Sequence, residues 1–306
     1  MPIALADTLS PSWDLVADIQ ILLHFHFMQN AYLAGTLVAL VAGIMGYFMV
    51  LRNQSFAGHS LANVGFAGAT GAVLFGIPPV VGLFLAGVLA AVGIQALNLG
   101  SRQSRQSDIA VGAVFTASLA LGVLFIFLAT TEYAANVYNV LFGNVLGIGD
   151  SDVTIIAWST LVLLLAFVLI ARPLFFASID PDVAAARGVP VRALAFGFLV
   201  LLALVVAVAV QVVGVLLIFA LLVTPAAIAQ YVTTRPAVAV AVAVALALTF
   251  TWMGLAVGYF TPYPVSFFVT TFAFGTYVLV RGGRFILVRM RRHRFALSSL
   301  SSGGEI

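Results

Sequence analysis

Apolar runs of near-uniform length, separated by short polar stretches, dominate the chain at about 31–51, 57–75, 78–97, 109–129, 153–171, 193–212, 214–232, 237–258 and 264–281. Each approaches the ~20 residues a helix needs to cross a ~30 Å hydrocarbon core. The pattern predicts an all-α, polytopic transmembrane bundle of nine spans, or eight if one run is a hairpin. The run at 57–75 is short and rich in glycine, which predicts an oblique or broken span. A further apolar piece, Val137–Ile148, is too short to cross and predicts a re-entrant or interfacial helix.

Local breaks punctuate the pattern. Pro225 falls inside the 214–232 run, where a proline frees a carbonyl and bends a helix unless neighbours compensate. Pro78-Pro79 and the Pro262–Pro264 pair mark turns. Gly58/Ala62, Gly65/Ala69 and Gly68/Ala72 have the small-xxx-small spacing that lets two helices approach closely. The segment between Arg172 and Arg192 is long enough to carry structure of its own. Asp180 is placed to cap a helix, Pro181 fits its first position, Gly188 fits its end, and Pro190 follows. This predicts one short capped surface helix between two spans.

Composition agrees with membrane residence: 63% of residues are hydrophobic, 8% are charged, and mean hydropathy is +1.19. Cysteine is absent, which excludes disulfides and thiolate metal sites, and there are four histidines. All thirteen basic residues are arginine. They are confined to short loops and the C-terminal tail, so the net charge of +3 predicts no nucleic-acid partner. The first residues lack a basic n-region and include Asp7, Asp14 and Asp18, so no cleavable signal peptide is expected.

Threaded as nine spans, the chain puts Arg52, Arg102, Arg105, Arg172, Arg187, Arg192, Arg235 and the tail from Arg281 to Arg294 on one side. Asp7, Asp14, Asp18, Glu132, Asp150 and Asp152 fall on the other. The positive-inside rule then predicts a cytoplasmic C-terminus and an external N-terminus. The expected organisation is an external or interfacial segment 1–30, a transmembrane domain 31–285 and a cytoplasmic basic tail 286–306, disordered at its end.

Between Arg52 and Arg102 no side chain is charged, yet His59 and Asn63 lie one helical turn apart in that stretch. In lipid an imidazole and a carboxamide must find partners or cost free energy, so the pair marks a site or a path.

The ordered segments resemble the permease subunit of zinc/manganese/iron-type ABC importers, the ABC-3 family, over nearly the whole chain. Arg52 to Gly68 is similar to the family's segment after its first span. Asp108-Ile109-Ala110-Val111-Gly112 is similar to its "D-x-A-x-G", and Leu141-Phe142-Gly143-Asn144-Val145-Leu146 to its "L-F-G-x-x-L". Ile179 to Gly188 resembles "F-D-x-E-x-A-x-x-x-G", and Gly214 to Ala229 resembles "G-x-L-L-x-x-x-L-L-x-x-P-A-x-x-A".

The resemblance implies a transport subunit, not an enzyme, of an ATP-driven importer working as a homodimer with an ABC ATPase and an extracellular metal-binding protein. The absence of a G-x-x-x-x-G-K-[ST] loop fits a separate ATPase. It also implies that the short helix is the coupling helix, with Asp180, Asp182, Ala184, Arg187 and Gly188 at the ATPase contact. The cargo implied is zinc or manganese, with no permanently bound cofactor.

In the family an Asp and, four residues later, a His face the metal. Here those positions are His59 and Asn63. The i, i+4 geometry is kept and the carboxylate is lost. Three readings stay open: weak transient ligation, a changed substrate, or a pair hydrogen-bonded between helices. A metal-chelate permease and a non-ABC channel or secondary carrier are the alternative functions. His24 and His26 could sample metal outside the first span or serve as interfacial anchors. Glu132, Asp150 and Asp152 would favour cation approach or protein docking. The Arg289–Arg294 stretch, which includes His293, would attract anionic lipid.

Overall fold

The structure is a computed structural model that describes residues 24–97, 104–128 and 140–301. Its regular elements are helices: α1 (His26–Leu51), α2 (Ser55–Leu74), α3 (Pro79–Leu97), α4 (Ser104–Leu128), α5 (Asp150–Ile179), α6 (Pro181–Ala186), α7 (Val191–Val232), α8 (Pro236–Tyr259) and α9 (Val265–Ser301). Among the described residues there is no strand.

All nine apolar runs are helical where described, but they differ in how they would meet lipid. Seven stretches are long and apolar enough to cross a membrane: His26–Leu51, Pro79–Leu97, Asp108–Leu128, Asp150–Ile179, Val191–Val215, Pro236–Tyr259 and Val265–Arg284. The chain is therefore a multi-pass membrane protein. Leu217–Val232 is a further apolar helical segment. Helix α2 carries His59, Asn63, Thr70 and several glycines, and most of its residues are buried by protein. Packing takes the place of hydropathy there.

Helix α7 is the hub, packed against α1, α2, α3, α5, α8 and α9. It is two legs joined at Gly214, whose φ of 80° and ψ of 165° break the helix. The contacts give each leg a direction. Phe198 lies under the Arg52 guanidinium at the end of α1, Ala203 faces Gly87 in mid-α3, and Val210 and Gln211 share a crevice with Pro79 and Val80. Past Gly214 the course reverses: Phe219 meets His59, Leu222 lies against Gly46 of α1, and the Tyr231 carbonyl accepts from Arg284. The boundary expected between the 193–212 and 214–232 runs falls at Gly214, which alone leaves helical φ/ψ, while Pro225 continues the returning leg as helix. Phe198, Leu202, Leu217, Ile218 and Leu221 from the two legs fill the centre with Met45, Met49 and Leu61.

Above the turn of α7 lies the segment between α4 and α5. Val140–Phe142 is helical, Val145–Gly147 forms a 3-10 turn, and residues 129–139 lie outside the described residues. The expected re-entrant piece is thus an irregular plug. Gly143 (φ 76°) rests on Gly214, and Ser266 Oγ donates to the Phe142 carbonyl at 2.8 Å, tying the plug to α9. Asn30 of α1 reaches it too, its Nδ2 donating to Asp150 Oδ1 at 2.6 Å and to the Ile148 carbonyl at 3.3 Å.

Helices α2 and α3 cross at Gly68 and Gly82, where a Cβ on either would run into the other's carbonyl. This is the close approach that the small-residue spacing on α2 predicts. Large apolar side chains point outward from α4, α5 and α9, including Phe127, Leu169 and Phe274. Lipid is their natural solvent. Helix α9 continues to Ser301, past the boundary at 285 drawn from sequence; residues 302–306 and 1–23 lie outside the described residues.

Candidate functional site

His59 and Asn63 occupy one face of α2, whose start is held to α4 by Ser60 Oγ donating to the Val111 carbonyl at 3.3 Å. Asn63 Nδ2 donates to the His59 carbonyl at 2.9 Å and lies 3.5 Å from His59 Nε2. The second contact is at the limit of a hydrogen bond. His59 Nδ1 is buried and has no partner. The ring is held instead by aromatics: Phe219 of α7 meets it edge-on at 4.9 Å and Phe115 of α4 lies tilted at 5.7 Å. A buried polar atom left unsatisfied costs about 1–3 kcal/mol. The imidazole is therefore fixed in orientation and carries one unused nitrogen.

The sequence brings His59 and Asn63 together but does not reveal Phe115 or Phe219. Those rings come from two other helices and carry no periodic signal linking them to α2. Among the described residues no group of three or more His, Asp or Glu side chains converges as a metal cage. The donor set is one imidazole and one carboxamide, and it can meet a cation in passing rather than enclose it.

The second set of residues lies on α6. Asp180 caps it as the sequence predicts, its Oδ1 accepting from Asp182 N at 3.1 Å and Val183 N at 3.0 Å, with Pro181 in the first turn. Arg187 is the C-cap, and Gly188 follows with φ 81°. Asp182, Arg187 and Gly188 are exposed; Ala184 is fully buried. Ala184 therefore anchors α6 to the bundle and does not belong to its outer face. The Arg187 guanidinium stands 6.0 Å from the Phe176 ring of α5, which orients it along the surface. Two exposed apolar side chains that the sequence reading passed over, Ile179 and Val183, flank the Asp180-Pro181 turn. Their sequence signal is an apolar residue on either side of the Asp180-Pro181-Asp182 stretch.

The remaining candidates separate. His26 Nε2 lies 2.8 Å from Asp150 Oδ1, linking α1 to α5 at the end of the bundle far from Arg52. His24 packs edge-on against Phe25, and Asp152 Oδ2 accepts from Gly149 N as part of the α5 cap. Glu132 lies outside the described residues.

Comparison with known proteins gives these elements a context. Residues 24–281 match the model of the ABC 3 transport family. The manganese import system permease protein ScaB of Streptococcus parasanguinis is 33% identical over 281 residues, covering 90% of this chain and 96% of that protein. The probable iron transport system membrane protein of Haemophilus influenzae is 32% identical over 212 residues, covering 69% of this chain and 76% of that protein. Among solved structures, PsaBC from Streptococcus pneumoniae in complex with Fab superposes with a TM-score of 0.76 and 30% identity, covering 87% of this chain and 95% of that one. An inward-facing putative metal-chelate type ABC transporter shares the fold, with a TM-score of 0.69 at 16% identity over 90% of this chain and 92% of that one. The chain belongs to the ABC-3 transport family, as a membrane permease subunit.

Proposed function

We propose that this permease carries a divalent transition metal inward as half of a homodimer, driven by two copies of an ABC ATPase and loaded by an extracellular metal-binding protein. The observation that carries the metal assignment is the unpartnered, buried His59 Nδ1 on a membrane helix, one turn from a carboxamide. A transport site must release its cargo as readily as it takes it up, and a neutral imidazole held between aromatic rings, with a carboxamide one turn away, suits brief ligation.

The donor set also bears on which metal. Imidazole suits zinc and other borderline cations, whereas manganese favours carboxylate oxygen. The position four residues on from His59 carries a carboxamide rather than a carboxylate, and no group of three or more His, Asp or Glu side chains converges among the described residues. The named relatives handle manganese or iron. On this chemistry zinc is the preferred cargo here, and manganese the poorer one.

The arginine-rich end of the bundle is assigned to the cytoplasm, with the C-terminus, and the His26–Asp150 end to the exterior. Helix α6 then faces the ATPase, offering Asp182, Arg187, Ile179 and Val183. As a capped stub between α5 and α7, it passes ATPase closure to both as a rigid-body push. Zinc and manganese uptake into vesicles holding the permease and its ATPase tests the reading. If neither ion moves while ATP is hydrolysed, the metal assignment fails.

A further inference from the structure

Arg281 and Arg284 are the first two charged residues of α9 and lie three residues apart, on neighbouring positions of one helix face. A tyrosine braces each guanidinium along one edge. Arg281 Nη1 donates to the Tyr277 hydroxyl at 2.9 Å and its guanidinium stands 5.9 Å from that ring's centre. Arg284 Nη1 donates to the Tyr231 carbonyl at 2.7 Å and stands 5.7 Å from the Tyr231 ring. The two rings are 6.2 Å apart. Four side chains from the last turn of α7 and from α9 thus form one cluster.

Three properties define what this cluster can bind. Both arginines are exposed, and each brace uses one nitrogen, leaving most of the five N–H donors of each fork open. Neither is paired with a carboxylate: among the described residues the one ion pair is His26–Asp150, at the opposite end of the bundle. Arg281 is the first charged residue of α9, and Arg284 meets the last turn of α7 one turn before Arg235, so the cluster lies at the arginine-rich end of the bundle, where hydrocarbon gives way to headgroups and tyrosines concentrate. Two preoriented, uncompensated guanidiniums at that depth match a phosphodiester, which they grip through paired N–H donors.

We propose that Arg281, Arg284, Tyr277 and Tyr231 form a binding site for the phosphate of an anionic phospholipid headgroup. Because Arg284 also holds the Tyr231 carbonyl, a lipid seated there fastens the returning leg of α7 to α9. The site is distinct from diffuse attraction by the more distal Arg289–Arg294 tail.

Native mass spectrometry of the full-length permease, loaded with phosphatidylglycerol or phosphatidylcholine, tests the site. Wild type is expected to retain phosphatidylglycerol preferentially, and R281Q/R284Q to lower that retention roughly tenfold. A tail variant, R289Q/R291Q/R292Q/R294Q, should keep it, and R281K/R284K should keep part of it. Retention unchanged in R281Q/R284Q, or lost equally in the tail variant, overturns the proposal. Displacement of the lipid by inorganic phosphate alone shows a free-anion site and overturns the lipid assignment. If R281Q/R284Q does not fold, R281Q alone leaves the Arg284–Tyr231 bond intact. It must still lower retention several-fold, and wild-type retention by R281Q refutes the site.

Discussion

Gly143 and Gly214 lie backbone to backbone, with φ of 76° and 80°, and each fills the space into which the other's Cβ would project. One belongs to the plug between α4 and α5, the other to the turn of the central hairpin. Their contact seats the plug on the turn between the two legs of α7. An L-residue in the left-handed region costs about 1–2 kcal/mol by conformation alone, and here an added methyl also strikes backbone atoms that cannot swing away. Gly143→Ala and Gly214→Ala are expected to lower thermal stability and folded yield sharply. Gly76→Ala is the control: φ is 70° there too, but nothing lies within 4 Å of the added Cβ. Equal, mild losses in all three would show that the contact does not matter.

His59 should matter more than Asn63 for transport. Imidazole is the stronger ligand, and the carboxamide mainly ties back to the His59 carbonyl. His59→Ala is expected to cut metal uptake by roughly tenfold or more, and Asn63→Ala by a few-fold. His59→Phe fills the gap between Phe115 and Phe219 without offering a nitrogen. Uptake restored by His59→Phe would mean the ring is there for packing.

Helix α6 is predicted to transmit force rather than to stabilise the bundle. Gly188→Pro loses the Gly188 N–H bond to the Ala185 carbonyl and cannot adopt φ 81°. Asp182→Lys reverses an exposed charge in the first turn, and Val183→Asp removes an apolar contact from the same face. Each should separate ATP hydrolysis from transport; Asp182→Lys and Val183→Asp should leave the melting temperature of the isolated permease nearly unchanged, while Gly188→Pro should also lower it. Asp180→Ala, which removes the cap, should instead cost about 1 kcal/mol. Normal coupling in the first three variants would take the ATPase contact away from α6.

Asn30 offers a test at the other end. It is 6% exposed and bridges Asp150 and the Ile148 carbonyl; Asp150 is exposed and keeps His26, so Asn30→Leu strands the buried Ile148 carbonyl. A loss of about 1–3 kcal/mol is expected in thermal unfolding, with the plug loosened from α1. Unchanged stability would mean that water replaces the amide without penalty.

Much of this architecture is legible one residue at a time. The spans follow from run length, and the cap of α6 from Asp180, Pro181 and Gly188, because such signals are local. The turn of α7 was half legible: two runs met near residue 213, but Pro225 drew attention that belonged to Gly214. A positive φ leaves no mark in a sequence beyond the glycine that permits it. The aromatic walls of the His59 site were not legible at all, since Phe115 and Phe219 meet it only through the packing of three helices. Burial of Ala184 was hidden for the same reason.

The central claim is that His59 lies on a metal path, and ATP-driven zinc uptake tests it most directly. Wild type and His59→Ala should be reconstituted with the ATPase, and uptake and ATP hydrolysis measured on the same vesicles. The expected result is zinc accumulation by wild type, exceeding manganese, and hydrolysis without accumulation by His59→Ala. Equal zinc uptake by the two proteins would contradict the account.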